Sequence, residues 1–312
     1  MEEHHFGPVW FIPGEKGGKY PFCHSIYVKG AGVLIDPSSD RKRLIQLRED
    51  PGVREVWLTH WHEDHLMHLD LFDDLPLAVA PEDAPPLSDL GLFLDAYGMD
   101  DPEQRQYWEE ILEEQFHFRA RGPSRLLQAG KRMALDGVHV EVIGSPGHTP
   151  GHLSFLFEEQ GILLLGDYDL TPFGPWYGDT ESSIDGTIAS VKGLQKIPAR
   201  VWLASHERGV FTEDPGERWD RYLQVIDERE RKLLVHLEEP RTMEDIVGAW
   251  IVYGRPREPK AFYEFGERAI MAKHLDKLMK EGRVAFEGGR YHKTSRADPA
   301  PFWHRLQGQR RE

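Results

Sequence analysis

Three histidines and an aspartate fall in one short run, Thr59-His60-Trp61-His62-Glu63-Asp64-His65, of the form H-x-H-x-D-H. Imidazole nitrogens and carboxylate oxygens are donors that zinc and ferrous iron accept. Buried together, they cost too much desolvation to persist without a cation or shared protons. A polar turn with chance histidines is the plain alternative in a chain that has 16 of them. The spacing is far more specific than a lone histidine pair, so we read a metal-binding segment.

More ligand-type residues stand where apolar runs stop. Residues 53–58 lead into the first cluster. Residues 138–143 read as a strand and run into Gly144-Ser145-Pro146-Gly147-His148-Thr149-Pro150-Gly151-His152. Residues 162–165 end in Gly166-Asp167, and residues 201–204 end in Ser205-His206. Strands that stop at a small residue and then a ligand residue place the ligands on loops along one sheet edge. Asp167 is preferred to Asp169 because it follows its strand directly. His152 reads as a supporting residue, and His68, His117 and His139 as ordinary surface or core histidines.

These blocks resemble the metallo-β-lactamase superfamily, in its glyoxalase-II-like hydrolase branch. The likeness covers roughly residues 8–212 and is specific for fold and metal centre, not for substrate. It implies a four-layer αββα sandwich holding two divalent metal ions, by default zinc, with iron or manganese accepted by the same donors. By the same likeness, His60, His62 and His148 hold one metal, and Asp64, His65 and His206 the other. Asp167 bridges both. Asp36, ending Gly32-Val33-Leu34-Ile35-Asp36, matches an early aspartate that lies beneath the site. Here Pro37-Ser38-Ser39 follows, where the family commonly has a glycine two positions on. Two such metals hold a water between them, lower its pKa toward neutrality and polarise the attacked oxygen. Asp64 and Asp167 are therefore the expected catalytic carboxylates.

The loop Asp169-Leu170-Thr171-Pro172-Phe173-Gly174-Pro175-Trp176-Tyr177-Gly178-Asp179 follows Asp167 directly. Phe173, Trp176 and Tyr177 either line an apolar substrate wall or fill the loop's own core. We expect the wall, with Tyr168 or Tyr177 offering an O–H to a developing oxyanion. Residues 81–127 form an insertion between the ligand groups, with helical stretches at 90–97 and 103–118. A substrate lid and a structural cap or dimer surface are both open readings of it.

The 312 residues suffice for one α/β domain of about 200 residues and a smaller one. No stretch approaches the ~20 apolar residues of a membrane span. The start, Met1-Glu2-Glu3-His4-His5, lacks the form of a signal peptide. Cys23 is the single cysteine, which excludes an intrachain disulfide and fits a reducing compartment. It reads as a small buried hydrophobe. A cytoplasmic protein acting on a small molecule, without a membrane partner, is the expectation, and a homodimer is among the assemblies it allows. Net charge is −15, from 38 Lys+Arg and 53 Asp+Glu. Residues 217–312 carry 20 basic and 17 acidic residues, which leaves 18 against 36 in residues 1–216. So acidic a domain repels polyanions.

Strands are expected at 9–12, 25–28, 32–35, 53–58 and 77–80, then at 132–135, 138–143, 153–158, 162–165 and 201–204. Helices are expected at 40–50 and 187–196. Pro215-Gly216 closes a catalytic domain, 1–215, and opens a C-terminal one, 216–312. That part reads as a helix over 217–237, a short helix opened by Thr242-Met243-Glu244-Asp245, a helix over 266–280 and a hairpin around Gly288-Gly289. The order resembles a winged-helix domain. Lys273, Lys277, Lys280 and Arg283 are interleaved with Glu267, Asp276 and Glu281, so a structural or dimerising role is preferred over nucleic-acid contact.

The leading expectation is a metal-dependent hydrolase whose hydroxide attacks an ester, thioester or related acyl group. A nuclease or phosphodiesterase using the winged helix is the alternative. A sulfur dioxygenase with one iron on His60, His148 and Asp167 is the third reading.

Overall fold

The computed structural model of the chain describes residues 1–295. They divide into two compact units, Met1–Thr171 with Asp179–Trp219, and Pro172–Gly178 with the chain from Asp220.

The first unit is built on two large sheets. A seven-stranded sheet runs in chain order through His4–Phe6 (β1), Val9–Ile12 (β2), Ser25–Val28 (β3), Val33–Ile35 (β4), Glu55–Trp57 (β5), Leu77–Val79 (β6) and Arg125–Leu126 (β7). Strands β1 to β4 pair antiparallel, and β4 to β7 pair parallel. The helix Arg41–Leu47 (α1), capped by Asp40, crosses from β4 to β5. Ala84–Ser88 (α2), Leu90–Ala96 (α3) and Pro102–Glu114 (α4) form the insertion before β7.

The second sheet contains Arg132–Leu135 (β8), Val138–Gly144 (β9), Leu153–Phe157 (β10), Ile162–Leu164 (β11), Val201–Leu203 (β12) and Val210–Phe211 (β13), in spatial order β13-β12-β11-β10-β9-β8. Only its β11–β12 pair is parallel, joined through Ile184–Gln195 (α5). Phe11, Ile26, Ile35 and Trp57 of one sheet share a single buried cluster with Val140, Val142, Phe155 and Leu164 of the other. The sheets therefore pack face to face. In β9 the burial alternates, with Val138, Val140 and Val142 inward, as one covered face requires. Strands β3 and β4 are buried along their whole length, so they are covered on both faces.

The expected strands form with ends within a residue or two of the expectation. The edge strands β1, β7 and β13 have no sequence expectation behind them, being too short and polar to show a period. The helix expected over 103–118 stops at Glu114.

Gly147 fixes the ligand loop between β9 and β10. Its φ is +132°, and a Cβ there would lie 2.1 Å from the Thr187 backbone nitrogen. Only glycine lets that loop press onto the first turn of α5.

The second unit contains Glu217–His236 (α6, which begins in the first unit), Met243–Val247 (α7), Lys260–Lys280 (α8) and the hairpin Val284–Glu287 (β14) with Arg290–Lys293 (β15). Thr242 and Asp245 make the expected capping box on α7. Helix α8 starts well before Gly266. That glycine sits mid-helix because Tyr253 closes on it, its hydroxyl 2.3 Å from where a Cβ would stand. Residues 172–178 also belong here, across the boundary expected at 215. Arg229, 2% exposed, donates to the carbonyls of Phe173 and Pro175 at 2.8 Å each. Among the described residues no helix is long and apolar enough to cross a membrane.

Candidate metal centre

Each ligand-type residue sits just beyond a strand of the first unit. His60 to His65 follow β5, His148 follows β9, Asp167 follows β11 and His206 follows β12. His60, His62 and His148 converge through His60 Nε2, His62 Nδ1 and His148 Nε2, which lie 3.0–3.1 Å apart. Asp64, His65 and His206 form a second group of donors, with His206 Nε2 3.3 Å from Asp64 Oδ2.

Asp167 lies between the groups. Its Oδ2 is 3.3 Å from His148 Nε2 and 4.0 Å from His60 Nε2. Its Oδ1 is 2.9 Å from His65 Nε2 and 3.5 Å from His206 Nε2. One carboxylate oxygen therefore addresses each group. Asp169, the rival considered from sequence, instead accepts from the Thr171 backbone.

The outer nitrogens are committed, which settles which nitrogen faces inward. His62 donates from Nε2 to Asp179 Oδ2 at 2.8 Å. His206 donates from Nδ1 to the carbonyls of Gly18 and Phe22, at 2.9 and 3.2 Å. His65 donates from Nδ1 to Asp36 Oδ2 at 3.0 Å. Thr59 donates its hydroxyl to the same Asp36 oxygen at 2.8 Å and accepts from His60 Nδ1 at 3.0 Å. Such partners fix tautomer and ring orientation at metal sites. Three inward lone pairs at 3 Å cannot satisfy one another, and a cation at their focus can. The residues present thus fit a metal.

Electrostatics agree. Burial, reinforced by His65, holds His60 well below the usual histidine range, in the neutral form a metal needs. Burial also opposes charge on His65 and His206, yet Asp167 carries both well above that range. The carboxylates thus favour positive charge at this end of the cluster.

Asp36 takes the position beneath the ligands with φ +53°. Ser25 staples the segment that follows: its hydroxyl donates to the Asp36 carbonyl at 2.5 Å and accepts from the amides of Ser38 and Ser39. His152 accepts from the Asp167 amide at 3.1 Å and pairs with the Ser145 hydroxyl at 2.8 Å.

The aromatics expected at a substrate wall make contacts within their own units. Tyr168 is fully buried and donates its hydroxyl toward the Ser145 and Pro146 carbonyls, so that O–H is spent on the His148 loop. Phe173, Trp176 and Tyr177 lie in the second unit. There Phe173 stacks on Tyr253, and the Tyr177 hydroxyl pairs with His274 Nε2 at 2.9 Å.

Four contributors carried no sequence signal. Asp179 reaches His62 from 117 positions away. Asp83, pushed by burial up to about 7, accepts from the Thr149 hydroxyl and the Gly151 amide at 2.6 and 2.7 Å. Buried Glu63 accepts from the hydroxyls of Tyr20 and Tyr97, and the Tyr97 ring stacks on His62 at 5.4 Å. His24 accepts from the Gly14 amide at 2.8 Å and donates to the Glu207 carbonyl at 3.1 Å, tying an N-terminal loop to the His206 turn.

Residues 19–227 match the family described as the metallo-beta-lactamase superfamily. The chain belongs to this superfamily. Within the superfamily it is 32% identical over 141 residues to a hydroxyacylglutathione hydrolase of Haemophilus influenzae, covering 43% of this chain and 59% of that one. It is 25% identical over 241 residues to an atrochrysone carboxyl ACP thioesterase of Aspergillus fumigatus, covering 72% of this chain and 64% of that one. The match thus spans less than two thirds of either relative. Among solved structures, a metallo-beta-lactamase family protein of Thermus thermophilus has the same fold, with TM-score 0.69 and 22% identity, covering 92% of this chain and 99% of that one. The relatives and the superfamily are hydrolytic, and the His/Asp groups suit metal ions.

Two outcomes follow for this superfamily member. Asp179→Ala is expected to weaken metal binding at the centre by roughly 10–100-fold, read by competition with a chromogenic chelator. Unchanged affinity would show that Asp179 does not orient His62. The second concerns pH. Burial lowers His24 from 6.5 to about 4. Its stabilising contribution is present above pH 6.5 and is lost as pH falls through about 4. Between those limits the wild type should lose up to about 3 kcal/mol more than His24→Gln, measured by urea unfolding at each pH. Parallel pH profiles would contradict this.

Proposed function

We propose that the chain is a dinuclear metallohydrolase that cleaves a thioester or related acyl bond in a small molecule. The observation that carries this is the disposition of Asp167, with one oxygen toward His60 and His148 and the other toward His65 and His206. Bound at these donors, two divalent cations, by default zinc, supply Lewis acidity and a water of lowered pKa.

The protein's own groups do the rest. Asp167 and Asp64 orient the attacking oxygen and balance positive charge at the centre. Asp179, Asp36 and Thr59 hold the imidazoles so that no reorganisation is needed during reaction. Tyr97 and Glu63 pin the insertion against His62, which favours reading that insertion as one wall of the substrate site. The thioester class draws support from the two hydrolytic relatives.

Excess acid in residues 1–216 disfavours a polyanionic substrate. Nor does the second unit offer free cations for nucleic acid at Lys277 and Arg283, since both pair with Glu230 at 2.6 and 2.5 Å. We therefore retain the acyl hydrolase over the nuclease reading.

Asp64→Ala and Asp167→Ala should each lower kcat/KM for a hydroxyacylglutathione or a simpler acyl thioester by about 1000-fold or more, on the scale of removing a key catalytic group. Chelation should abolish turnover and added zinc restore it. Full turnover by both variants would overturn the assignment.

A further inference from the structure

A second set of ligand-type side chains lies outside the catalytic cluster. His68, Asp70 and His117 each bring one donor atom to within 4.8 Å of the others. His68 is 4% exposed, and its Nε2 is buried without a hydrogen-bond partner. Burying an imidazole nitrogen unsatisfied is costly, so the position calls for a partner.

The other two donors are held ready. Arg41 grips Asp70 through both oxygens, at 2.8 and 2.6 Å, which fixes the carboxylate and leaves each oxygen a lone pair. His117 donates from Nδ1 to the Met67 carbonyl at 3.0 Å, which leaves Nε2 as the basic nitrogen. Its backbone φ is +53°, a left-handed conformation that a side chain other than glycine rarely adopts. Backbone strain of this kind persists where a side chain's placement is worth the cost. Asp70 and His117 also border a small pocket together with Leu66, Leu87, Phe118, Arg119 and Arg121.

We propose that His68, Asp70 and His117 form a separate site for a divalent transition-metal ion, one that clips the end of the insertion to the segment following the H-x-H-x-D-H run. Two imidazoles, one carboxylate and a water make a zinc-type donor set. Burial, with the Arg41 charge next, lowers His68 to about 4, so the ring is neutral at pH 7 as ligation requires. Arg41 is also the opposing influence. Its charge stands near the ion, and its Nη1, 3.3 Å from His68 Nδ1, must yield when that nitrogen carries the ring proton. The Met67 carbonyl is the alternative acceptor for that proton. His68 and His117, read from sequence as ordinary histidines, thereby acquire a common task.

The test is zinc stoichiometry. Full-length wild type, His117→Gln and Asp70→Asn would be stripped with chelator, reloaded with zinc alone, passed through a desalting column and analysed by elemental mass spectrometry. Wild type should retain one equivalent more than either variant, while thioester turnover per chain stays the same. The difference reports this site whatever the catalytic cluster holds, so its failure is distinct from failure of the hydrolase reading. Equal zinc content in wild type and in folded His117→Gln, with folding checked by circular dichroism, would overturn the proposal. His117 is only partly buried, so that variant should fold even where Asp70→Asn does not.

Discussion

Five imidazoles and two carboxylates are drawn out of bulk water into one cluster, and the first unit is organised around keeping them there. Each group alone would resist burial. Together they are tolerable around positive charge, with the outward-facing nitrogens of His60, His62, His65 and His206 given fixed partners. The ligand loops therefore cannot be arbitrary turns. They must end rigid strands, and their neighbours must be shaped to them. Gly147 meeting α5 and Ser25 stapling residues 36–39 are two local consequences.

The supporting contacts come from far along the chain. Asp36 lies at the end of β4, Asp83 opens the insertion, Asp179 follows the 172–178 loop, and His24 stands at the start of β3. Asp36 and Asp179 hold the segment 60–65, Asp83 the His148 loop and His24 the His206 turn. Orientation of the cluster is thus a property of the whole two-sheet fold. It also explains why the two sheets face each other through an apolar core while their loops carry nearly all the buried polar groups.

Much of this was legible in the sequence. Ligand residues announce themselves because metals demand particular donors at short spacings, and apolar runs that stop at Gly-Asp or Ser-His mark strand ends. The αββα reading came from the same motifs. The partners of the ligands were not legible, because a carboxylate such as Asp179 or Asp83 has no local pattern and is defined only by what folds against it. The anchoring of the 172–178 loop was not legible for the same reason. Nothing near Phe173, Trp176 and Tyr177 in sequence signals that Arg229 holds the loop's carbonyls and draws it into the second unit. Gly266 misled, since a glycine required by the packing of Tyr253 looks like a helix start.

The central claim is that one cluster holds two metals with Asp167 between them. Anomalous difference density from a zinc-loaded crystal, recorded above and below the zinc absorption edge, tests it most directly. The account requires two peaks, one among His60, His62 and His148 and one among Asp64, His65 and His206, with Asp167 touching both. A single peak at that cluster, or none, would contradict it.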